Sequence, residues 1–238
     1  GEGRVELTAD FAPDQLREAL ESIEGARVVE PTAQQRDWRA QVTPYVVGDA
    51  LVVRPPWTPR PNGRPDLVDL VVDPGEAFGS GTHTTTRGCL DVITRTSRHG
   101  GLHGASVLDV GCGTGVLGLA ALALGAVHLT AVDSDPAAVQ STRVNVTANG
   151  FDRRAEVLLG SLDAVPPGTF DLVCANLLAP VFDEIGEQIA DRVGVNGRLV
   201  ASGVLATQVE RVLTRARSLD VTRHDVHGDW AVLEMCRR

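Results

Sequence analysis

The sequence predicts an α/β protein whose main part is a doubly wound, mostly parallel β-sheet. From residue 67 onward, short apolar runs alternate with segments of helical periodicity, which is typical of repeated strand–helix units. A glycine-rich turn at 111–115 separates one of these runs from the next helical segment. Open α/β sheets bind ligands at such turns, where the carboxyl ends of their strands meet.

Seven strands are expected in this part of the chain, and the last two should form an antiparallel hairpin. Their predicted ranges are 106–110, 129–132, 155–159, 170–175, 197–202, 221–226 and 230–235. Helices are predicted between them over 114–124, 136–149, 180–193 and 207–218. At the start of the second helix, Asp135 is suited to the cap position and Pro136 to the first helical position.

The first part of the chain has a different pattern. Residues 1 to about 30 predict a strand, a helix and a strand, and residues 46–53 predict two short strands that turn at Gly48 and Asp49. A proline-rich stretch follows, which is typical of a linker. We therefore expect a small N-terminal α/β region over 1–55 for substrate recognition, a linker over 56–66 and the main ligand-binding domain over 67–238.

Charge and composition exclude several classes of protein. The formal net charge of −9 argues against a nucleic-acid partner, because phosphates need a basic surface, and it favours a basic partner. No apolar run approaches the roughly 20 residues that cross a bilayer, and the N-terminus lacks a signal-peptide pattern, so we expect a cytoplasmic protein without membrane contact. All 22 cations are arginines, which excludes Schiff-base lysines and a Walker A loop.

The glycine turn carries the strongest signal, VLDVGCGTGVL over 107–117. Gly111 permits a tight turn, and Gly113 lets a ligand approach the backbone without a Cβ in the way. The dinucleotide fingerprint needs a glycine at position 116, where this chain has Val116. The spacing D-x-G-x-G-x-G, ending at Gly115, resembles the first motif of class I methyltransferases. That resemblance implies a Rossmann-like fold and S-adenosylmethionine as the cofactor.

Two aspartates lie at the ends of neighbouring predicted strands. Asp133 follows Gly111 by 22 residues, where a carboxylate can accept hydrogen bonds from both ribose hydroxyls; the alternative is a residue that only closes a turn. Asp109 lies at the foot of the glycine loop. There it either holds backbone amides or faces the ammonium group of the ligand.

Two further positions follow later strands. Ser161 lies in the loop that borders the adenine in this fold, or it is a plain turn residue. Asn176 ends the strand over 170–175, which is the catalytic edge of the sheet in class I methyltransferases. Its side chain can accept a hydrogen bond from a target amine, and the alternative is an Asx turn.

The segment DPGEAFGSGTHTTT, residues 73–86, makes the resemblance more specific. It resembles the motif PGxAFGTGxHxTT of PrmA-type enzymes, which methylate large-subunit ribosomal protein number eleven, and it departs from that motif at Ser80. The segments NLLA at 176–179 and SGVLATQ at 202–208 are also similar to segments of this family.

By this resemblance, Phe78, Thr85 and Thr86 would close over the cofactor. His83 would be either a catalytic residue or a histidine that caps the following helix. Asn176 and the aromatic wall of Phe78 would orient the amine, and the sequence predicts no dedicated strong base. No cluster of His, Cys and Asp has the spacing of metal ligands, so no metal is expected.

The resemblance implies a protein N-methyltransferase that acts on lysine or N-terminal amines of a basic ribosomal protein. One alternative is a related methyltransferase that acts on another protein or on a small amine. A second is an NAD-dependent dehydrogenase, which Val116 and the 73–86 motif disfavour. A third is a binding module that keeps the glycine loop without the reaction.

Overall fold

The structure, a computed structural model, describes residues 42–75, 83–98 and 100–238. The chain forms two compact units, Gly1–Val42 and Thr43–Arg238. The strands and helix predicted over residues 1–30, and the predicted site residue Phe78, lie outside the described residues. Only the second unit is therefore described below.

A small three-stranded sheet opens this unit. Its strands are β1 (Tyr45–Val47), β2 (Leu51–Arg54) and β3 (Val68–Val71). β1 and β2 are antiparallel, as a short turn requires, whereas β2 and β3 are parallel. In that turn Gly48 has a φ of 53°, a left-handed conformation that glycine adopts at no steric cost.

The structure divides the chain between Val42 and Thr43, whereas the sequence predicts a division over residues 56–66. Leu51 and Leu70 are fully buried and belong to the same core as the helices of the main unit, so residues 43–55 are part of that unit. The stretch over 56–66 connects two paired strands, and the Arg60 guanidinium holds it by donating to the carbonyls of Pro65 and Leu67. Proline content alone could not separate a connection within one unit from a linker between domains.

The second sheet has seven strands in the order β6-β5-β4-β7-β8-β10-β9, with the five from β6 to β8 parallel and β10 antiparallel to both of its neighbours. These strands are β4 (Ser106–Val110), β5 (His128–Asp133), β6 (Ala155–Leu159), β7 (Phe170–Asn176), β8 (Val193–Leu205), β9 (Asp220–His227) and β10 (Trp230–Cys236). The predicted seven-stranded, mostly parallel sheet with an antiparallel C-terminal hairpin is confirmed.

Five helices cover the sheet in the described part of the chain: α1 (Thr84–Arg98), α2 (Val116–Ala123), α3 (Pro136–Ala148), α4 (Ala179–Asp191) and α5 (Val209–Arg215). Alternate residues of one strand belong to two different core clusters, Leu172 and Cys174 to one and Val173 and Ala175 to the other. Both faces of the sheet are therefore buried, as in doubly wound folds. Among the described residues, no helix combines the length and apolarity needed to span a membrane.

Candidate functional site

The glycine loop lies between β4 and α2, at the carboxyl edge of the sheet. Gly111, Gly113 and Gly115 have φ values of 67°, 56° and 78°, a region that other residues rarely adopt. The Gly111 N–H donates to the Val132 carbonyl at 2.8 Å, which ties the loop to β5. A Cβ on Gly111 would lie 2.4 Å from the Leu177 Cδ2 atom. The left-handed turn thus favours glycine here, and a side chain at this position would also displace the end of Leu177.

Asp133 ends β5 beside this loop. One of its oxygens, Oδ2, accepts the Gly113 N–H at 3.0 Å, and Oδ1 accepts the Asp135 N–H at 3.0 Å. A carboxylate can accept about four hydrogen bonds, so each oxygen keeps capacity for a further donor such as a ribose hydroxyl. Asp135 in turn caps α3 by accepting the Ala137 N–H at 2.9 Å, which confirms the predicted cap.

Asp109 lies beneath the loop and is 1% exposed. Its Oδ2 atom accepts the Gly118 N–H at 2.9 Å, so it holds a backbone amide, one of its two predicted roles. Burial raises the pKa of Asp109 to about 7, because desolvation disfavours the carboxylate; the Gly118 hydrogen bond opposes this rise, and the Asp133 charge adds to it. A contact of Asp109 with a ligand ammonium stays a prediction.

Asn176 ends β7, next to β4 and the glycine loop. Its Nδ2 donates to the Thr86 Oγ1 at 3.4 Å, which links this edge to the first turn of α1. Its Oδ1 is buried and has no hydrogen-bond partner among the described residues, so the side chain does not form the alternative Asx turn. An unmade bond at a buried acceptor costs about 1–3 kcal/mol, so this oxygen is suited to accept a hydrogen bond from a bound molecule.

The first turn of α1 is arranged by His83. The Thr85 N–H donates to the His83 Nδ1 at 3.4 Å, and the Thr85 Oγ1 lies 2.7 Å from the same nitrogen. The His83 ring also packs edge-on against Trp230, with ring centroids 5.2 Å apart. This geometry agrees with the predicted capping role, and a catalytic role of His83 stays a prediction. Thr85 and Thr86 are both buried, at 1% exposure.

Ser161 lies in the exposed turn after β6. Its carbonyl accepts the Ala164 N–H at 3.0 Å, as expected for a turn residue. The neighbouring Gly160 N–H donates to the Asp133 carbonyl at 2.9 Å. The turn therefore borders the Asp133 side of the site, and a role of Ser161 towards adenine stays a prediction.

Gly203 is a site residue that the sequence reasoning missed. It has a φ of 82° near the end of β8, where the pairing with β10 shifts register between Ala231 and Leu233, as at a β-bulge. A Cβ here would lie 2.5 Å from the carbonyl oxygen of Leu177 and 2.8 Å from its nitrogen. Gly203 thus lets the chain after Asn176 lie directly against β8. The only signal for it was the family resemblance of residues 202–208.

Helix α3 contributes contacts that the sequence also did not reveal. The Thr142 Oγ1 donates to the Gly113 carbonyl at 2.8 Å, and the buried Asn145 side chain contacts the Thr114 carbonyl at 2.9 Å. The predicted residues from the glycine loop to Asn176 therefore share one edge of the sheet, and α3 supports that edge. Over residues 42–75, 83–98 and 100–238, no group of three His, Cys, Asp or Glu side chains has the geometry of a metal site.

The chain is similar to known methyltransferases. Residues 12–238 match the family model described as ribosomal protein L11 methyltransferase (PrmA). A ribosomal protein L11 methyltransferase of Burkholderia cenocepacia (strain HI2424) is 36% identical over 241 residues, which cover 98% of this chain and 77% of that protein.

Solved structures agree with this relationship. The crystal structure of a ribosomal protein L11 methylase from Lactobacillus delbrueckii subsp. bulgaricus superposes with a TM-score of 0.72 at 28% identity, over 82% of this chain and 99% of that one. A 16S rRNA N2 G1207 methyltransferase of T. thermophilus superposes with a TM-score of 0.54 at 20% identity, over 68% and 45% of the two chains. This second likeness concerns the fold alone.

Proposed function

The chain belongs to the ribosomal protein L11 methyltransferase (PrmA) family, and from that premise we propose that it transfers methyl groups from S-adenosylmethionine to lysine or N-terminal amines of that ribosomal protein. One observation supports the proposed chemistry best. The Asn176 Oδ1 is buried without a partner among the described residues, at the carboxyl edge that also carries the glycine loop. This oxygen can accept a hydrogen bond from the N–H group of a primary or secondary amine.

The residues at this edge fit S-adenosylmethionine. Asp133 keeps acceptor capacity for two ribose hydroxyls beyond the two backbone amides that it already holds. The Gly113 N–H donates to the Asp133 carboxylate, so the backbone of the glycine loop lies directly beside the group proposed to hold the ribose. When bound, the cofactor supplies a methyl group on a positively charged sulfur. A neutral amine that attacks this methyl carbon forms the new N–C bond, and the S–C bond breaks to leave a neutral thioether.

The attacking amine must be neutral to carry a free lone pair. A lysine amine has a reference pKa of about 10.4, so the site has to disfavour its charged form. Burial beside Asn176 does this, because desolvation disfavours the cation. The Thr86 hydroxyl holds the Asn176 amide and leaves its carbonyl oxygen to orient the amine. Most of the remaining rate would come from this alignment rather than from a strong base.

The charge of the chain suits a basic protein partner. The formal net charge is −9, and opposite charge on the partner raises the rate of encounter. We further propose that the N-terminal unit, Gly1–Val42, takes part in recognising the ribosomal protein, and that the reaction takes place in the cytoplasm.

The test is incubation of the full chain with S-adenosylmethionine carrying an isotopically labelled methyl group and purified ribosomal protein L11 from cells without this modification. Mass spectrometry should find the label on lysine side chains or on the N-terminal amine. Label on other ribosomal proteins of an unmethylated extract, and not on L11, would contradict the proposed substrate.

The alternative cofactor is tested separately. S-adenosylmethionine should raise the thermal midpoint of the chain, because a ligand stabilises the folded state that binds it. NAD should leave the midpoint unchanged. The opposite result would favour the dehydrogenase interpretation and would remove the basis of the proposal.

A further inference from the structure

One buried side chain connects the glycine loop to the segment that begins the 73–86 motif. Asn145, on α3, is fully buried. Its Oδ1 accepts the Asp73 N–H at 2.7 Å, and its Nδ2 donates to the Asp73 carbonyl at 3.0 Å and to the Thr114 carbonyl at 2.9 Å. The amide therefore makes hydrogen bonds to two chain segments at once.

The neighbouring turn of the same helix provides a natural comparison. Asn149 pairs with Val71 in the same two-bond pattern: its Oδ1 accepts the Val71 N–H at 2.9 Å, and its Nδ2 donates to the Val71 carbonyl at 2.6 Å. The other bond of its Nδ2 goes to the Asn145 carbonyl within α3. Both asparagines thus extend the pairing of β3. Of the two, Asn145 is the one that also donates a hydrogen bond to the glycine loop.

The bond from Asn145 matters because Thr114 lies inside the glycine loop. Thr114 stands between Gly113 and Gly115, both in left-handed conformations that are easily lost when nothing holds them. Thr142 holds the Gly113 carbonyl and Asn145 holds the Thr114 carbonyl, so two side chains of α3 turn successive loop carbonyls towards the helix.

We propose that Asn145 is a positioning residue for S-adenosylmethionine, because it makes the binding conformation of the glycine loop depend on the placement of Asp73. The inference rests on the proposed function for the identity of the cofactor. On the far side, the Asp73 Oδ1 accepts the Gly75 N–H at 2.9 Å and so shapes the start of the 73–86 motif. The single amide of Asn145 joins that turn to the loop.

The physical basis is a shift of populations. Without the Asn145 amide, the loop loses one of its ties and spends only a fraction of its time in the conformation that binds the cofactor. The apparent Kd rises by the inverse of that fraction. A buried hydrogen bond left unmade corresponds to about a tenfold change, which is the expected rise in Kd.

The experiment compares Asn145→Ala with Asn149→Ala in the full chain. Both substitutions leave a backbone N–H and C=O near β3 without partners, so both should lower the thermal midpoint, and Asn145→Ala should lower it more because its side chain is fully buried. Calorimetric titration with S-adenosylmethionine should give a Kd about tenfold higher for Asn145→Ala and close to that of the unaltered chain for Asn149→Ala. Equal Kd values for the two variants would overturn the inference.

The unaltered chain offers a second measurement if Asn145→Ala does not fold. S-adenosylmethionine should slow hydrogen exchange of the Asp73 amide about tenfold more than that of the Val71 amide, because only Asp73 is tied through Asn145 to the loop. Equal slowing at the two amides would overturn the inference. Failure of the unaltered chain to bind S-adenosylmethionine would instead contradict the proposed function, so the two failures are distinguishable.

Discussion

The Asn176 amide donates to the Thr86 hydroxyl across 3.4 Å, and this contact leaves the Asn176 carbonyl oxygen as a buried acceptor without a partner in the described part of the chain. The two residues are 90 positions apart in the sequence and come from the end of β7 and the first turn of α1. An amide held on its donor side presents its acceptor in a fixed direction, which is what alignment of an incoming amine needs.

Replacing Asn176 should therefore affect the reaction more than cofactor binding. Asn176→Ala is expected to lower turnover about a hundredfold, the scale of a lost alignment, with little change in the Kd of S-adenosylmethionine. Single-turnover rates and calorimetry measure the two quantities. Thr86→Val removes the hydroxyl that holds the amide and should lower turnover less. Equal losses in turnover and cofactor affinity would contradict the role of Asn176.

Gly203 should support the same alignment from β8. A Cβ at this position would lie 2.5 Å from the Leu177 carbonyl oxygen, and backbone cannot move away as a flexible side chain can. Gly203→Ala is expected to lower turnover at least about tenfold, because small displacements of aligned groups are costly. Turnover should be measured at saturating cofactor.

Gly228→Ala is the matched control for this substitution. Gly228 has a φ of 61°, so alanine there carries the same kind of conformational cost, about 1–2 kcal/mol, but a Cβ would meet nothing within 4 Å. Both variants should have a lower free energy of unfolding in chemical denaturation. Only Gly203→Ala should also have a lower turnover. Equal turnover in the two variants would show that the contact with Leu177 does not matter.

The glycine loop and Asp133 could be predicted because their signal is local. A buried strand, a turn with glycines at fixed positions and a helix follow each other within a few residues. Asp133 likewise ends a strand and is followed at once by a turn and a helix. Gly203 and Asn145 could not be predicted in this way. Their roles depend on contacts with Leu177 and Asp73, which lie 26 and 72 residues away and are adjacent only in the folded chain.

The division of the chain shows the limit of a local signal, because the compact units meet between Val42 and Thr43 and not at the proline-rich stretch. The proline-rich stretch over 56–66 has the composition of a linker, yet it connects β2 to the parallel strand β3. A linker between domains and a connection within one unit differ in what the flanking elements pack against, and the composition does not contain that information. Strands β4, β5, β7, β8 and β10 were predictable because each contains a buried apolar run bounded by turn residues, whereas β9 is exposed along most of its length.

Asp133 should contribute to cofactor affinity and not to turnover. Asp133→Ala removes the charged group that is proposed to accept hydrogen bonds from the ribose hydroxyls, and it is expected to raise the Kd of S-adenosylmethionine about 10–100-fold, as for hydrogen bonds to charged groups. Asp135→Ala is the matched control, since it removes the cap of α3 and should lower stability by about 1 kcal/mol while leaving the Kd unchanged. Unchanged affinity of Asp133→Ala in calorimetry would remove Asp133 from the site.

Asp109 makes the stability of the fold depend on pH. Its pKa is raised from an ordinary 3.8 to about 7, chiefly by burial. Between about pH 4 and pH 7 the folded chain therefore binds a proton at Asp109 that the unfolded chain has lost, so the free energy of unfolding falls as pH rises across this window. Below about pH 4 the carboxyl is protonated in both states, so no buried charge destabilises the fold. Above about pH 7 the carboxyl is charged in both states, and the full cost of the buried charge lowers the free energy of unfolding.

Asp109→Asn should remove this dependence, because asparagine is neutral at every pH and its Oδ1 can still accept the Gly118 N–H. The difference in free energy of unfolding between the variant and the unaltered chain should grow in favour of the variant from pH 4 to pH 7.5, by roughly 4 kcal/mol if the shift in pKa is complete. Urea denaturation at four pH values measures it, and the comparison cancels groups that titrate in both proteins. Parallel stability curves would show that Asp109 ionises in the fold as it does in water.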